Sequence, residues 1–155
     1  MQAQTLLLEV SDYDCSKCKE NVHVIDSLYK NYKDKIRFGF THFGSYISPS
    51  AKAAESAEIQ GQFWAMHELL FSSTNIPDSS IVFNMASKLP LNMDKFKKDY
   101  SNKETEVTVF KSLNLIHDAG IYGTPTILIN NRPVFNSGSY KEIELEIKKL
   151  LNENK

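Results

Sequence analysis

Cys15 and Cys18 are the two cysteines of the sequence, and only Ser16 and Lys17 stand between them. Two thiols at this spacing can close a disulfide if the chain turns helical there, because three residues make nearly one turn. The start of a helix adds chemistry to that geometry. Its first N–H groups have no partner in the helix, and with the helix dipole they stabilise an anion. A thiolate is the attacking species in disulfide exchange. Cys15 is thus read as the attacking sulfur, and Cys18, one turn further in and less exposed, as the thiol that resolves a mixed disulfide. Ser16 and Lys17 are the residues placed to tune the pair. If the Lys17 ammonium turns toward Cys15, it favours the dithiol and makes the disulfide more oxidising. The competing readings are an incidental pair and half of a metal site. A structural zinc site normally takes four protein ligands. The remaining candidates, His23, His42, His67 and His117, are scattered without metal-ligand spacing.

The pair needs a strand before it and a helix after it, and the flanking residues supply both. Thr5 to Val10 is an apolar run with little alternation, as in a strand buried on both faces. Polar Ser11-Asp12-Tyr13-Asp14 turns the chain. From the cysteines to Tyr32, the apolar residues Val22, Ile25, Leu28 and Tyr32 make one helical stripe. Ile36 to Phe43 reads as a second strand, so the unit is strand–helix–strand with parallel pairing and a right-handed crossover.

The middle of the chain reads as helical. Ser48-Pro49 is a start signal, with Ser as the N-cap and Pro in the first turn. Gly61 breaks that helix and Phe63 to Phe71 resumes it, with Phe63 and Trp64 read as core. Asp78 and Asn92 are caps for two short helices, and Glu104 to Ala119 forms a longer one ended by Gly120. Then Thr126 to Ile129, the turn Asn130-Asn131 and Pro133 to Phe135 read as a hairpin. A last helix over Tyr140 to Leu151 buries Ile143, Ile147 and Leu150/Leu151. The expected architecture is α/β: β-α-β, a helical layer inserted over about 49–120, then β-β-α around a central mixed sheet. One domain over 1–155 is expected.

Composition narrows the functional classes. Lys plus Arg total 18 and Asp plus Glu 19, a net charge of -1, so nothing pulls the chain as a whole toward nucleic acid or an anionic membrane. No stretch approaches the ~20 apolar residues of a transmembrane segment. The first residues lack the pattern of a signal peptide. The location expected is therefore periplasmic or extracytoplasmic if a signal was removed, and cytoplasmic otherwise. Two cysteines cannot form a disulfide framework, so the pair is read as reactive and not as a staple for the fold.

Three ordered segments resemble the DsbA-like branch of the thioredoxin superfamily, in particular its compact bacterial members. They are Leu8-Glu9-Val10-Ser11-Asp12-Tyr13-Asp14-Cys15-Ser16-Lys17-Cys18-Lys19, Gln60-Gly61-Gln62-Phe63-Trp64-Ala65-Met66-His67 and Gly120-Ile121-Tyr122-Gly123-Thr124-Pro125-Thr126. The resemblance implies a thioredoxin fold and exchange of a disulfide or dithiol with protein cysteines, in the oxidase direction. It implies Cys15 as nucleophile, Cys18 as resolving thiol and Pro125 as a cis-proline. Thr124 would then face the active site, with its backbone available to an extended substrate segment. Glu9 matches a buried acid that assists proton transfer for the resolving cysteine in relatives; its plain alternative is a surface acid at a strand end. The chain departs from the family at two positions, with Ser16 where relatives usually carry Pro and Lys17 where many carry His or an aromatic residue. The electrons stay in the cysteine pair, so no metal or organic cofactor is expected. A redox partner is implied: a membrane oxidase, or a thioredoxin- or glutathione-type donor. The alternative functions are a reductase-type thioredoxin-like protein, and a peptide-binding or chaperone-like module with structural cysteines.

Overall fold

The computed structural model describes residues 5–153. Strand β1 (Leu6–Ser11) leads into helix α1 (Ser16–Tyr32), which returns to strand β2 (Arg37–His42). The two strands are parallel, from Leu6 opposite Arg37 to Ser11 opposite His42. Strand β3 (Thr126–Ile129) lies antiparallel on the other side of β1, and the short β4 (Arg132–Pro133) completes the order β2-β1-β3-β4. β1 is thus a central strand, which is why its sequence is apolar without alternation. The expected mixed sheet is the one observed.

Between β2 and β3 run five helices: α2 (Pro49–Glu58), α3 (Phe63–Ser72), α4 (Ser79–Ala86), α5 (Met93–Tyr100) and α6 (Lys103–Asp118). Their starts follow from their caps. Ser48 accepts from the Ala51 N–H, Asp78 from Ile81 and Asn92 from Lys95, each satisfying a donor that the first turn leaves free. Gly120, at φ 76°, lets the Ile121 N–H reach back to the Ile116 carbonyl and closes α6, a conformation that costs glycine little. Helix α7 (Tyr140–Glu153) packs against α1.

Two apolar cores result. One joins the sheet to α1 and α7 through Leu7, Leu28, Ile127, Ile143 and Ile147. The other holds the helical layer together around Ala54, Met66, Leu70, Phe71 and Phe96, and it includes Tyr13 and Cys18. The second cysteine is therefore built into the seam between the sheet unit and the inserted layer.

Two expectations are corrected here. The last strand was expected over Pro133 to Phe135. Asn130 and Asn131, at φ 48° and 66°, make a two-residue turn that sets Arg132 opposite Ile129. Pairing therefore starts earlier; beyond Pro133 the Val134 N–H reaches the Ile127 carbonyl and the Ser137 hydroxyl accepts the Ile127 N–H, while Phe135 stands fully in solvent. Trp64 was read as core but is 45% exposed. The buried residues of α3 are Met66, His67, Leu70 and Phe71, and Trp64 falls off that arc.

Candidate active site

Cys15 is the N-cap of α1, with extended backbone at φ -85° and ψ 119°. Its approach is fixed by a tight turn, in which the Cys15 N–H bonds to the Asp12 carbonyl at 3.1 Å and the Asp14 N–H to the Asp12 carboxylate at 2.9 Å. Asp14 is held in turn by the Tyr46 and Ser50 hydroxyls at 3.0 and 3.2 Å. The loop is thus tied to the segment that enters α2, and the half-buried Cys15 has a defined position.

The Cys15 sulfur takes the place of a capping oxygen. It accepts the Cys18 N–H at 3.2 Å, and the Thr124 hydroxyl donates to it at 3.6 Å from the far side. Two donors and the N-terminus of α1 thus converge on the Cys15 sulfur. Cys18 is 1% exposed. Burial, and the hydrogen bond its thiol makes to Cys15, push its pKa up to about 11, against the pull of the Ser11 and Thr124 hydroxyls and the Asp12 backbone N–H. Near neutral pH Cys18 is therefore a neutral thiol facing the Cys15 sulfur. Both cysteines are free thiols here.

The other residues singled out in the sequence fall around this pair. Thr124 precedes Pro125 across a cis peptide bond. Glu9 is 3% exposed, so it is not a surface acid; desolvation and the nearby Asp26 raise its pKa to about 7, although the Ser11 hydroxyl draws it back. It lines a cavity of about 110 Å3 with Asp26, His67 and Glu68, beside the exposed Trp64. Lys17 does not turn toward Cys15. Its ammonium pairs with Glu20 at 3.3 Å, and both side chains are exposed, because the outer face of the first turn points to solvent. Ser16 is exposed beside it.

Sequence reasoning missed two features. Tyr13, read as part of a polar turn, is buried and bonds through its hydroxyl to His67 Nδ1 at 3.0 Å. Its ring packs on Phe40 and Phe71. An aromatic residue in an otherwise polar run was the available signal for burial; the pairing with His67, 54 residues away, left none. The second is the groove beside Pro125, of about 660 Å3, whose walls include Asn21, His23, Val134 and Phe135. His42, at the end of β2, is a buried side chain hydrogen-bonded to Glu55 at 2.8 Å.

A sheet ordered β2-β1-β3-β4, an inserted helical layer, and two thiols at the start of α1 beside a cis-proline loop define a thioredoxin-fold dithiol protein. The comparison with known families gives the same class and makes it specific: a thioredoxin family model matches residues 1–149, and the chain belongs to that family. Among curated relatives, it is 26% identical over 144 residues to a Na(+)/H(+) antiporter NhaA 1 of Salinispora arenicola, covering 90% of this chain and 22% of the antiporter. It is 29% identical over 165 residues to disulfide bond formation protein D of Bacillus subtilis, covering 96% of this chain and 73% of that protein. The chain thus spans about a fifth of the antiporters it matches and most of the disulfide bond formation protein. Among solved structures, BdbD from Bacillus subtilis in its oxidised form superposes with a TM-score of 0.82 at 24% identity, covering 97% of this chain and 89% of the other. The DsbA-like resemblance read from the three motifs is borne out.

Proposed function

We propose that this chain is a thiol–disulfide oxidoreductase acting on protein cysteines, in the direction of a dithiol oxidase. The observation that carries the proposal is the asymmetry of the pair. Cys15 is half-exposed, with two hydrogen-bond donors on its sulfur, while Cys18 is buried and held neutral. Donors that stabilise a Cys15 thiolate stabilise the reduced protein, which makes the disulfide a better oxidant.

The reaction runs from the Cys15–Cys18 disulfide. A substrate thiolate attacks Cys15, a substrate–Cys15 disulfide forms, and the electron pair of the broken bond goes to Cys18, which takes a proton. A second substrate thiolate then displaces Cys15. The substrate is oxidised to its disulfide and the protein is left as the dithiol. Glu9 serves as the proton donor and acceptor for Cys18. Thr124 and Pro125 face the substrate, and the groove floored by Pro125 and flanked by Phe135 receives its extended chain. An oxidising partner restores the disulfide: a membrane quinone-linked protein fits the oxidase direction, and a thioredoxin- or glutathione-type donor the reverse. The support is the site geometry together with the similarity to a protein named for disulfide bond formation.

The direct test is trapping. With Cys18→Ser, an unfolded protein whose cysteines are blocked as mixed disulfides with glutathione should be attacked by the Cys15 thiolate, release glutathione and accumulate as a stable adduct on Cys15. Cys15→Ser should accumulate none. Equal trapping by both variants would overturn the assignment of roles.

A further inference from the structure

Ser11 is the last residue of β1, fully buried. Among the described residues, its hydroxyl is the buried side-chain polar atom that lacks a hydrogen-bond partner. A buried hydroxyl left unpaired carries a desolvation penalty of about 1–3 kcal/mol, so its retention in a central strand calls for a use. Its position suggests one. Side chains two residues apart on a strand share a face, which puts Ser11 on the Glu9 side of the sheet, next to the start of α1. There the hydroxyl lies against both the Glu9 carboxyl and the Cys18 thiol, favouring the charged form of each, without a well-formed hydrogen bond to either. A serine hydroxyl both donates and accepts, so in this place it can do each by turning.

We propose that the Ser11 hydroxyl is the relay that carries the proton between Glu9 and Cys18 during disulfide exchange. The inference rests on the thiol–disulfide activity proposed above and deepens it. When a thiolate attacks Cys15, the Cys15–Cys18 bond breaks and its electron pair goes to Cys18. Ser11 gives its proton to Cys18 and takes one from the Glu9 carboxyl, leaving Glu9 as a carboxylate. In the reverse direction Cys18 loses its proton to Ser11 as it attacks Cys15, the Ser11 proton passes to the Glu9 carboxylate, and the leaving thiolate departs. The hydroxyl ends each pass as it began. The charged or titratable groups around Glu9 are Asp26 and Tyr29 from α1 and His67 and Glu68 from α3, with Tyr13 close enough to feel its charge.

The experiment is a single-turnover reaction of the oxidised full chain with glutathione between pH 5 and 9, quenched in acid and read by alkylation of the released Cys18. Ser11→Ala should slow the release roughly a hundredfold or more, the range of a lost proton-transfer catalyst, and should remove the inflection near the Glu9 titration. Ser11→Thr keeps the hydroxyl and should restore the inflection. Glu9→Gln should slow the reaction to the same degree as Ser11→Ala, and the double variant should be no slower than either. A second readout needs no variant: a relay moves two protons in one step, so the rate in mixed H2O and D2O should bow downward with deuterium fraction. A full rate and unshifted inflection in Ser11→Ala, multiplying effects in the double variant, or a straight-line isotope dependence would each overturn the relay while leaving the exchange activity standing. If the parent protein formed no adduct with glutathione at all, the activity itself would fall, and the relay with it.

Discussion

Replacing Glu9 by Gln removes the charge and keeps the shape, so its effect on stability reads the burial of that carboxyl directly. In the native state Glu9 titrates near 7, against an ordinary value of 4.5. Below about pH 4.5 it is protonated in both folded and unfolded chains and exerts no pH-dependent effect. As the pH rises to 7 the unfolded chain releases the proton and the folded one retains it, so stability falls. At ~1.4 kcal/mol per pH unit, the loss is about 3 kcal/mol and is complete above pH 7. The neighbouring His67 works in the opposite sense. Burial lowers it from 6.5 to about 4, so its contribution is present above pH 6.5 and is lost as the pH falls toward 4. The two slopes nearly cancel in the parent protein, which should look almost indifferent to pH between 4 and 7. Glu9→Gln unmasks the His67 slope. Urea unfolding of the reduced variant and parent at pH 4 and pH 8 should give a stability difference that shifts in favour of the variant by about 3 kcal/mol between the two. In thermal unfolding that is roughly 6–12 °C for a chain of this size. Any fixed cost of the Gln amide enters at both pH values and drops out. An identical difference at both would mean that Glu9 titrates normally, and the account of its burial would be wrong.

Three further outcomes follow from the same geometry. With Cys18 pushed up to about 11, iodoacetamide at pH 8 should label Cys15 first and Cys18 roughly two-hundredfold more slowly than a free thiol of pKa ~8.5, as peptide mass spectrometry would resolve. Tyr13→Phe leaves His67 Nδ1 buried without the hydroxyl it bonds, and should destabilise the protein by about 1–3 kcal/mol in chemical denaturation. Phe135 is fully exposed at the rim of the groove beside Pro125. Phe135→Ser should therefore change unfolding by less than ~0.5 kcal/mol, yet slow adduct formation with an unfolded protein substrate and not with glutathione; equal slowing with both would refute its role in the groove.

Much of this was legible in the sequence because it is local. Caps at Ser48, Asp78 and Asn92 announced their helices, and the unalternating run before the cysteines announced a central strand. The Cys15-Ser16-Lys17-Cys18 spacing, at a strand-to-helix junction and with two further motifs downstream, pointed to the pair. What failed was long-range or directional. Whether Lys17 faces Cys15 or Glu20 depends on a rotamer at the outer face of a helix start, and spacing does not determine it. The burial of Tyr13 depends on α3 being laid over the strand end, a contact made through His67 far along the chain. Trp64 and Phe135 are apolar residues that the sequence pattern assigns to core and strand. The true arc of α3 and the two-residue turn at Asn130-Asn131 put both at the surface. The Ser11 hydroxyl had no sequence signal beyond its type, since its meaning comes from lying between a carboxyl two residues back and a thiol on the next element.

The central claim is that Cys15 and Cys18 cycle between dithiol and disulfide with the reduced form stabilised. Its most direct test is the reduction potential of the pair, measured by equilibrating the protein with glutathione buffers and trapping free thiols. Both thiols should disappear together in one transition, at a potential well above the ~-270 mV of thioredoxin. Thiols that persist across the whole range would contradict the redox reading altogether, and a shared transition at or below ~-270 mV would contradict the oxidase direction.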